Sequence, residues 1–167
     1  FNTFFYTLLK AGGIDNVKKV TGKRKKGADG EVYMDIKVDI FAMDIVLVPV
    51  NLEQSHWYLA VVYAQRKRIV ILDSSPMGDG GQSCYDNVLA WLACEQMEKK
   101  SCKLDTTEWK RENPAVNSLQ PDGHNCGIYT LLNAWSLCLG LQIDFQELTI
   151  KDLVDLRKNA PVPVLRS

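Results

Sequence analysis

Cys126 stands in the run QPDGHNCG, residues 120–127, a glycine-flanked loop that leads directly into a helical apolar pattern. A cysteine at the head of a helix meets the positive end of the macrodipole and backbone N–H groups without an intrahelical acceptor, and both favour the thiolate. That is nucleophile chemistry, although the ordinary role of an isolated cysteine is that of a small buried hydrophobe. A thiolate nucleophile works with a base, and the base with a group that orients it. Two histidines are available, His56 and His124. His124 lies two residues from Cys126 in the same turn, where its ring is poorly placed to align with the sulfur. His56 opens an apolar run and precedes Trp57; its alternative reading is a strand-edge histidine with a satisfied hydrogen bond. The following apolar run closes on Asp73. If residues 64–67 form a hairpin link, the start of one strand and the end of its partner lie side by side, and His56 meets a carboxylate. Gln120 adds a side-chain amide able to stabilise an oxyanion, or simply to bond its own loop. Gly127 allows a substrate carbonyl to approach the backbone closely.

These residues need a frame. Residues 43–50, 56–63 and 68–74 are short, β-branched-rich apolar runs and read as strands, with turn chemistry at the limits of the region. Continuous apolar runs of this kind suit a sheet covered on both faces. Residues 82–99 read as a helix through Val88, Trp91, Leu92 and Glu95, with Lys99 and Lys100 suiting its negative end. A short strand is expected around residues 108–111. From Cys126 a second helix follows Ile128, Leu131, Leu132, Trp135 and Leu139, and stops before Gly140. Near the start, Phe1, Phe4, Phe5, Leu8 and Leu9 fall at helical spacing before Gly12 and Gly13. The basic stretch KKVTGKRKKGADGE, residues 18–31, has no apolar period and reads as an exposed loop. It is a solvated insertion, a localisation signal or a contact for an acidic partner.

The chain of 167 residues fits one domain. At that length a fold buries roughly 70% of the surface its unfolded chain exposes, so no covalent staple is required. Lys plus Arg number 20 and Asp plus Glu 20, a balance that points to neither nucleic acid nor membrane. The five cysteines, odd in number and without C-x-x-C spacing, argue against a disulfide framework and for a reducing compartment. Cys94 and Cys138 are expected as buried space-fillers. Two histidines and no finger-like ligand spacing leave no metal site, and no cofactor is implied. No signal peptide is visible, and no apolar run approaches the ~18 residues of a membrane span. A chain that opens at Phe1 without methionine is expected to be part of something longer.

Taken together, His56-Trp57, Asp73 in ILDS, and Gln120 six residues before Cys126-Gly127 resemble the ubiquitin-like-protein-specific proteases, above all the SUMO (sentrin) proteases of peptidase family C48. FFYTLLKAGG resembles the family's early helical segment, DIFAMDIVLVPVNLEQSHWYLAVVY its central strands, and DLVDLRKNAP its closing segment. The resemblance implies a papain-like α+β fold with a central mixed sheet over residues 1–167. It implies a catalytic set of Cys126, His56, Asp73 and Gln120, and substrate contacts at Trp57, Asn125 and Gly127. The substrate would be the Gly-Gly tail of SUMO or a related modifier, handled by a monomer without cofactor, nucleic acid or membrane. A nuclear location follows from the family and the Lys23–Lys26 cluster. Three departures stand out. Asn125 replaces an aspartate usual before the nucleophile, the insertion at residues 23–31 looks long, and a tryptophan that clamps the tail is expected upstream of Phe1. A catalytically inactive modifier-binding module, a NEDD8 or ubiquitin protease, and a general peptidase as in the adenovirus branch are the other readings.

Overall fold

The computed structural model describes residues 23–26, 32–35, 39–53, 55–75, 81–112, 114, 118–145 and 148–159. Four strands form the central sheet in the order β3 (Val46–Leu52), β4 (His56–Tyr63), β5 (Arg68–Leu72) and β6 (Lys110–Glu112). The first three pair antiparallel, and β6 joins β5 in parallel, so the sheet is mixed. The link between β4 and β5 is a 3-10 turn, Ala64–Arg66, ending on Lys67 in a left-handed conformation. The α-helices among the described residues are α1 (Gln82–Lys100), α2 (Cys126–Leu139) and α3 (Ile150–Asn159).

Strand alternation divides the apolar side chains between two faces. Val48, Val50, Tyr58, Ala60, Val62, Ile69 and Ile71 form one core with Val88, Trp91 and Leu92 of α1. On the other face Leu59, Val61 and Leu72 pack with Leu47 and Val70 and with Ala134 and Leu137 of α2. The sheet is therefore covered on both sides, as the continuous apolar runs predict, and the architecture is α+β.

The register places the site. The last β4–β5 pair is Leu59 with Leu72, and β4 continues beyond it to His56. One further step of that register sets Asp73 opposite Tyr58, which makes His56 its diagonal neighbour on the same face. Side chains reach across a diagonal of this kind. The predicted side-by-side arrangement is thus realised as a diagonal one.

Gly81 carries the chain from the β5 exit into α1. Its φ is +82°, and a Cβ there would lie 2.7 Å from Cγ2 of Ile71 in β5. Gly81→Ala is expected to destabilise the domain by about 1–3 kcal/mol, through left-handed strain and overpacking against Ile71. A denaturant midpoint unchanged from wild type would contradict this.

Several expectations change. The basic stretch is not all loop: β1 (Lys23–Lys26) pairs antiparallel with β2 (Val32–Asp35), Lys23 opposite Asp35. The two strands pair through their backbones, and the basic run carries no apolar period to announce them. The first central strand starts at Val46, three residues later than expected, and β6 lies at 110–112 instead of 108–111. In α2 the expected apolar stripe is partly wrong: Trp135 is 66% exposed and Leu139 58%. The inward face carries Ile128, Tyr129, Thr130, Asn133 and Ser136 instead, with small or polar groups among them. Cys138, three residues after Trp135 on the outward side, is exposed; Cys94 is half-buried. The helical reading of residues 1–12 lies outside the described residues. Among the described residues no helix is long and apolar enough to cross a membrane.

Candidate active site

At the open end of the sheet, His56 Nε2 lies 2.7 Å from Asp73 Oδ1. The same oxygen accepts the Ser75 N–H at 2.9 Å, which fixes the carboxylate as the chain leaves β5. Both side chains are about one-fifth exposed, so the pair is neither sealed nor fully solvated. The His56 ring packs at a tilt against Tyr58, 5.9 Å between centroids. With Nε2 directed to Asp73, Nδ1 is left for a second partner. A carboxylate on one ring nitrogen selects the tautomer whose other nitrogen accepts a proton.

The second part of the site is the head of α2. Cys126 is its first residue and is 6% exposed. Gly127 faces the start of β4: a Cβ placed on it would lie 3.7 Å from Cδ1 of Trp57. The helix head is thereby seated beside Trp57, the residue next to His56, with Gly127 presenting only backbone to the indole. Asn125 occupies the N-cap position with φ −101° and ψ 11°, yet makes no side-chain capping bond. Its amide turns inward, Nδ2 donating to Asp122 Oδ2 at 2.5 Å. The Cys126 and Gly127 N–H groups, orphans of the first turn, are not covered by it.

Gln120 is tied to the β5 exit. Its backbone N–H donates to the Ser74 carbonyl at 2.9 Å, and its Oε1 accepts the Ser74 hydroxyl at 2.7 Å. One Nε2 hydrogen goes to the Asp122 carbonyl at 2.5 Å. An amide nitrogen carries two hydrogens, so one donor remains. Gln120 thus bonds its own loop and still has an N–H to offer.

His124, the rejected base, is exposed in this loop, its backbone N–H donating to Asp122 Oδ1 at 2.8 Å. Sequence reasoning missed Ser74, which is buried, and Asp122. Asp122 takes the N–H groups of His124 and Asn125 and the Asn125 amide. Foremost the His124 N–H, and with it the Asn125 amide and N–H, hold its carboxyl below the ordinary range against the opposing effect of burial. The signal for Asp122 was the D-x-H-N spacing, an aspartate two and three residues ahead of the N–H groups it takes. No local pattern pointed to Ser74. Among the described residues no group of three or more His, Cys, Asp or Glu side chains could hold a metal ion.

A helix headed by a cysteine, seated against a strand that begins with a carboxylate-bonded histidine, is the plan of the papain-like α+β proteins. The comparisons narrow it. Residues 1–164 match the Ulp1 protease family, C-terminal catalytic domain. A sentrin-specific protease of Caenorhabditis elegans is 33% identical over 130 residues, which is 78% of this chain and 16% of the relative. Ubiquitin-like-specific protease 1 of Saccharomyces cerevisiae is 30% identical over 160 residues, 95% of this chain and 22% of the relative. The crystal structure of the C-terminal Ulp1 protease domain in complex with Smt3, the yeast ortholog of SUMO, superimposes with a TM-score of 0.69 at 26% identity, covering 95% of this chain and 63% of that one. The chain belongs to the Ulp1 protease family. It spans under two thirds of the length of each of these relatives.

Proposed function

We propose that this chain is a single-domain cysteine peptidase that cleaves after the C-terminal Gly-Gly of SUMO or a related ubiquitin-like modifier. The observation that carries the reading is the His56–Asp73 hydrogen bond at the end of the sheet where the Cys126 helix head lies beside Trp57. His56 takes the Cys126 proton at Nδ1, and Sγ adds to the carbonyl carbon of the terminal glycine. The carbonyl oxygen gains the negative charge and is met by the remaining Gln120 Nε2 hydrogen and the Cys126 N–H. Collapse of this intermediate expels the amine, which takes the proton back from His56. Water, activated by the same imidazole, then hydrolyses the thioester and returns the thiol.

The specificity argument is steric. Trp57 and the bare Gly127 bound a space that a glycine tail fits and that a β-carbon on the substrate would crowd. The modifier is recognised in the same monomeric domain, without a cofactor. The Lys23–Lys26 strand, basic along its length, supports a nuclear location.

The test is a series of vinyl-sulfone probes built on SUMO, NEDD8 and ubiquitin. The SUMO probe is expected to form a covalent adduct at Cys126 at least tenfold faster than the other two. Faster labelling by NEDD8 or ubiquitin would reassign the modifier. Labelling by none of the three, with a folded protein, would identify a binding module that does not turn over.

A further inference from the structure

Asn125 raises a question about the loop ahead of the nucleophile. Asparagine is among the strongest N-cap residues, its side-chain oxygen ordinarily taking an N–H of the first turn. Here it stands at the N-cap and does not cap. What diverts it is Asp122, whose Oδ2 holds the Asn125 Nδ2 at 2.5 Å while Oδ1 takes the backbone N–H groups of His124 at 2.8 Å and Asn125 at 3.1 Å. The carbonyl of the same residue receives the Gln120 Nε2 hydrogen at 2.5 Å. One residue therefore touches both sources of oxyanion donors, the glutamine amide and the head of α2.

We infer that Asp122 is the positioning residue of the oxyanion cradle. Its carboxylate draws the Asn125 amide away from the helix head and so keeps that side chain from capping the Gly127 N–H, next to the Cys126 N–H that meets the substrate oxygen. Its carbonyl takes one Gln120 hydrogen and aims the other. The negative charge that Asn125 lacks beside the nucleophile is present three residues earlier, shared among three N–H donors. Without Asp122 the Asn125 side-chain oxygen is released to cap the first turn, and the helix head closes on itself. The pairing also predicts an exchange: an asparagine at 122 and an aspartate at 125 restore an amide–carboxylate contact with its polarity reversed.

The inference rests on the peptidase reading above, and the experiment separates the two. Wild type, Asp122→Ala and the double variant Asp122→Asn/Asn125→Asp are compared in three assays. These are turnover of a SUMO–coumarin fusion, affinity for SUMO ending in glycinal, and labelling by SUMO vinyl sulfone. The aldehyde adds the thiol to its carbonyl carbon and leaves an oxygen in the cradle, whereas the vinyl sulfone reports thiolate attack without that tetrahedral oxyanion. Asp122→Ala is expected to lower kcat about 100-fold, the effect of losing one such donor, with KM changed less than about threefold. Affinity for the aldehyde falls by a similar factor, and vinyl-sulfone labelling stays within about threefold of wild type, as the thiolate itself is untouched. The exchange variant recovers most of the lost turnover. If Asp122→Ala lost turnover but kept aldehyde affinity, or if a folded exchange variant were as slow as Asp122→Ala, Asp122 would not position the cradle. If Asp122→Ala failed to fold, the exchange variant alone decides by its aldehyde affinity. A wild type that no probe labels would overturn the peptidase reading, and this inference with it.

Discussion

Replacing Cys126 by alanine is expected to reduce release of a Gly-Gly-linked modifier by about 10⁶-fold, the loss typical of removing a covalent nucleophile. The substitution deletes only Sγ. The hydrogen bonds at the helix head run through backbone atoms, the Thr130 hydroxyl to the Cys126 carbonyl at 2.9 Å and the Tyr129 N–H to the Asn125 carbonyl at 3.1 Å, and both survive. Stability is expected to be nearly unchanged and modifier affinity, read by calorimetry, to match wild type. Turnover within tenfold of wild type would remove Cys126 from the mechanism. General thiol reagents cannot replace this test, because Cys102 and Cys138 are exposed and would be alkylated as well.

The parts of the fold that the sequence made legible are those where a local period reports a packing demand. β4 and β5 are β-branched runs between turn residues, and His56 and Asp73 sit at their ends; the diagonal contact follows from that register alone. In α2 the same approach misled. Apolar spacing singled out Trp135 and Leu139, but the face of α2 that meets the sheet runs through Ala134 and Leu137. Ile128 and Tyr129 are buried in a neighbouring cluster, and Trp135 and Leu139 turn outward. The β1–β2 hairpin escaped notice because each of its strands is only four residues long, and the basic run of β1 has no apolar period. Ser74 was invisible because its partner Gln120 is 46 residues away.

That last pairing gives the β5 exit a double duty. Asp73 and Ser74 are consecutive, and the first holds the His56 ring while the second holds the Gln120 backbone and side chain. The proposed base and the proposed oxyanion donor are therefore registered to one strand end. Ile71, two residues before Asp73, is the side chain that Gly81 leaves room for. Pressure at Gly81 is transmitted to the strand that aligns both groups.

Asp73 permits a finer experiment than a single knock-out. One oxygen, Oδ1, accepts both the His56 Nε2–H and the Ser75 N–H. In Asp73→Asn the amide oxygen can take that place, since an NH₂ group there would point donors at two donors. The imidazole then keeps its orientation and its tautomer, and only the negative charge that stabilises the imidazolium is lost. Asp73→Ala removes orientation and charge together. Asp73→Ala is accordingly expected to lower kcat about 10⁴-fold, comparable to a triad whose histidine is held in the wrong tautomer. Asp73→Asn is expected to lower it about 10²-fold, the lower end of what general acid–base assistance contributes. KM for the modifier substrate stays near wild type in both, because neither change touches the space beside Trp57. Equal losses in the two variants would mean that the charge, and not the fixed ring, is what Asp73 supplies.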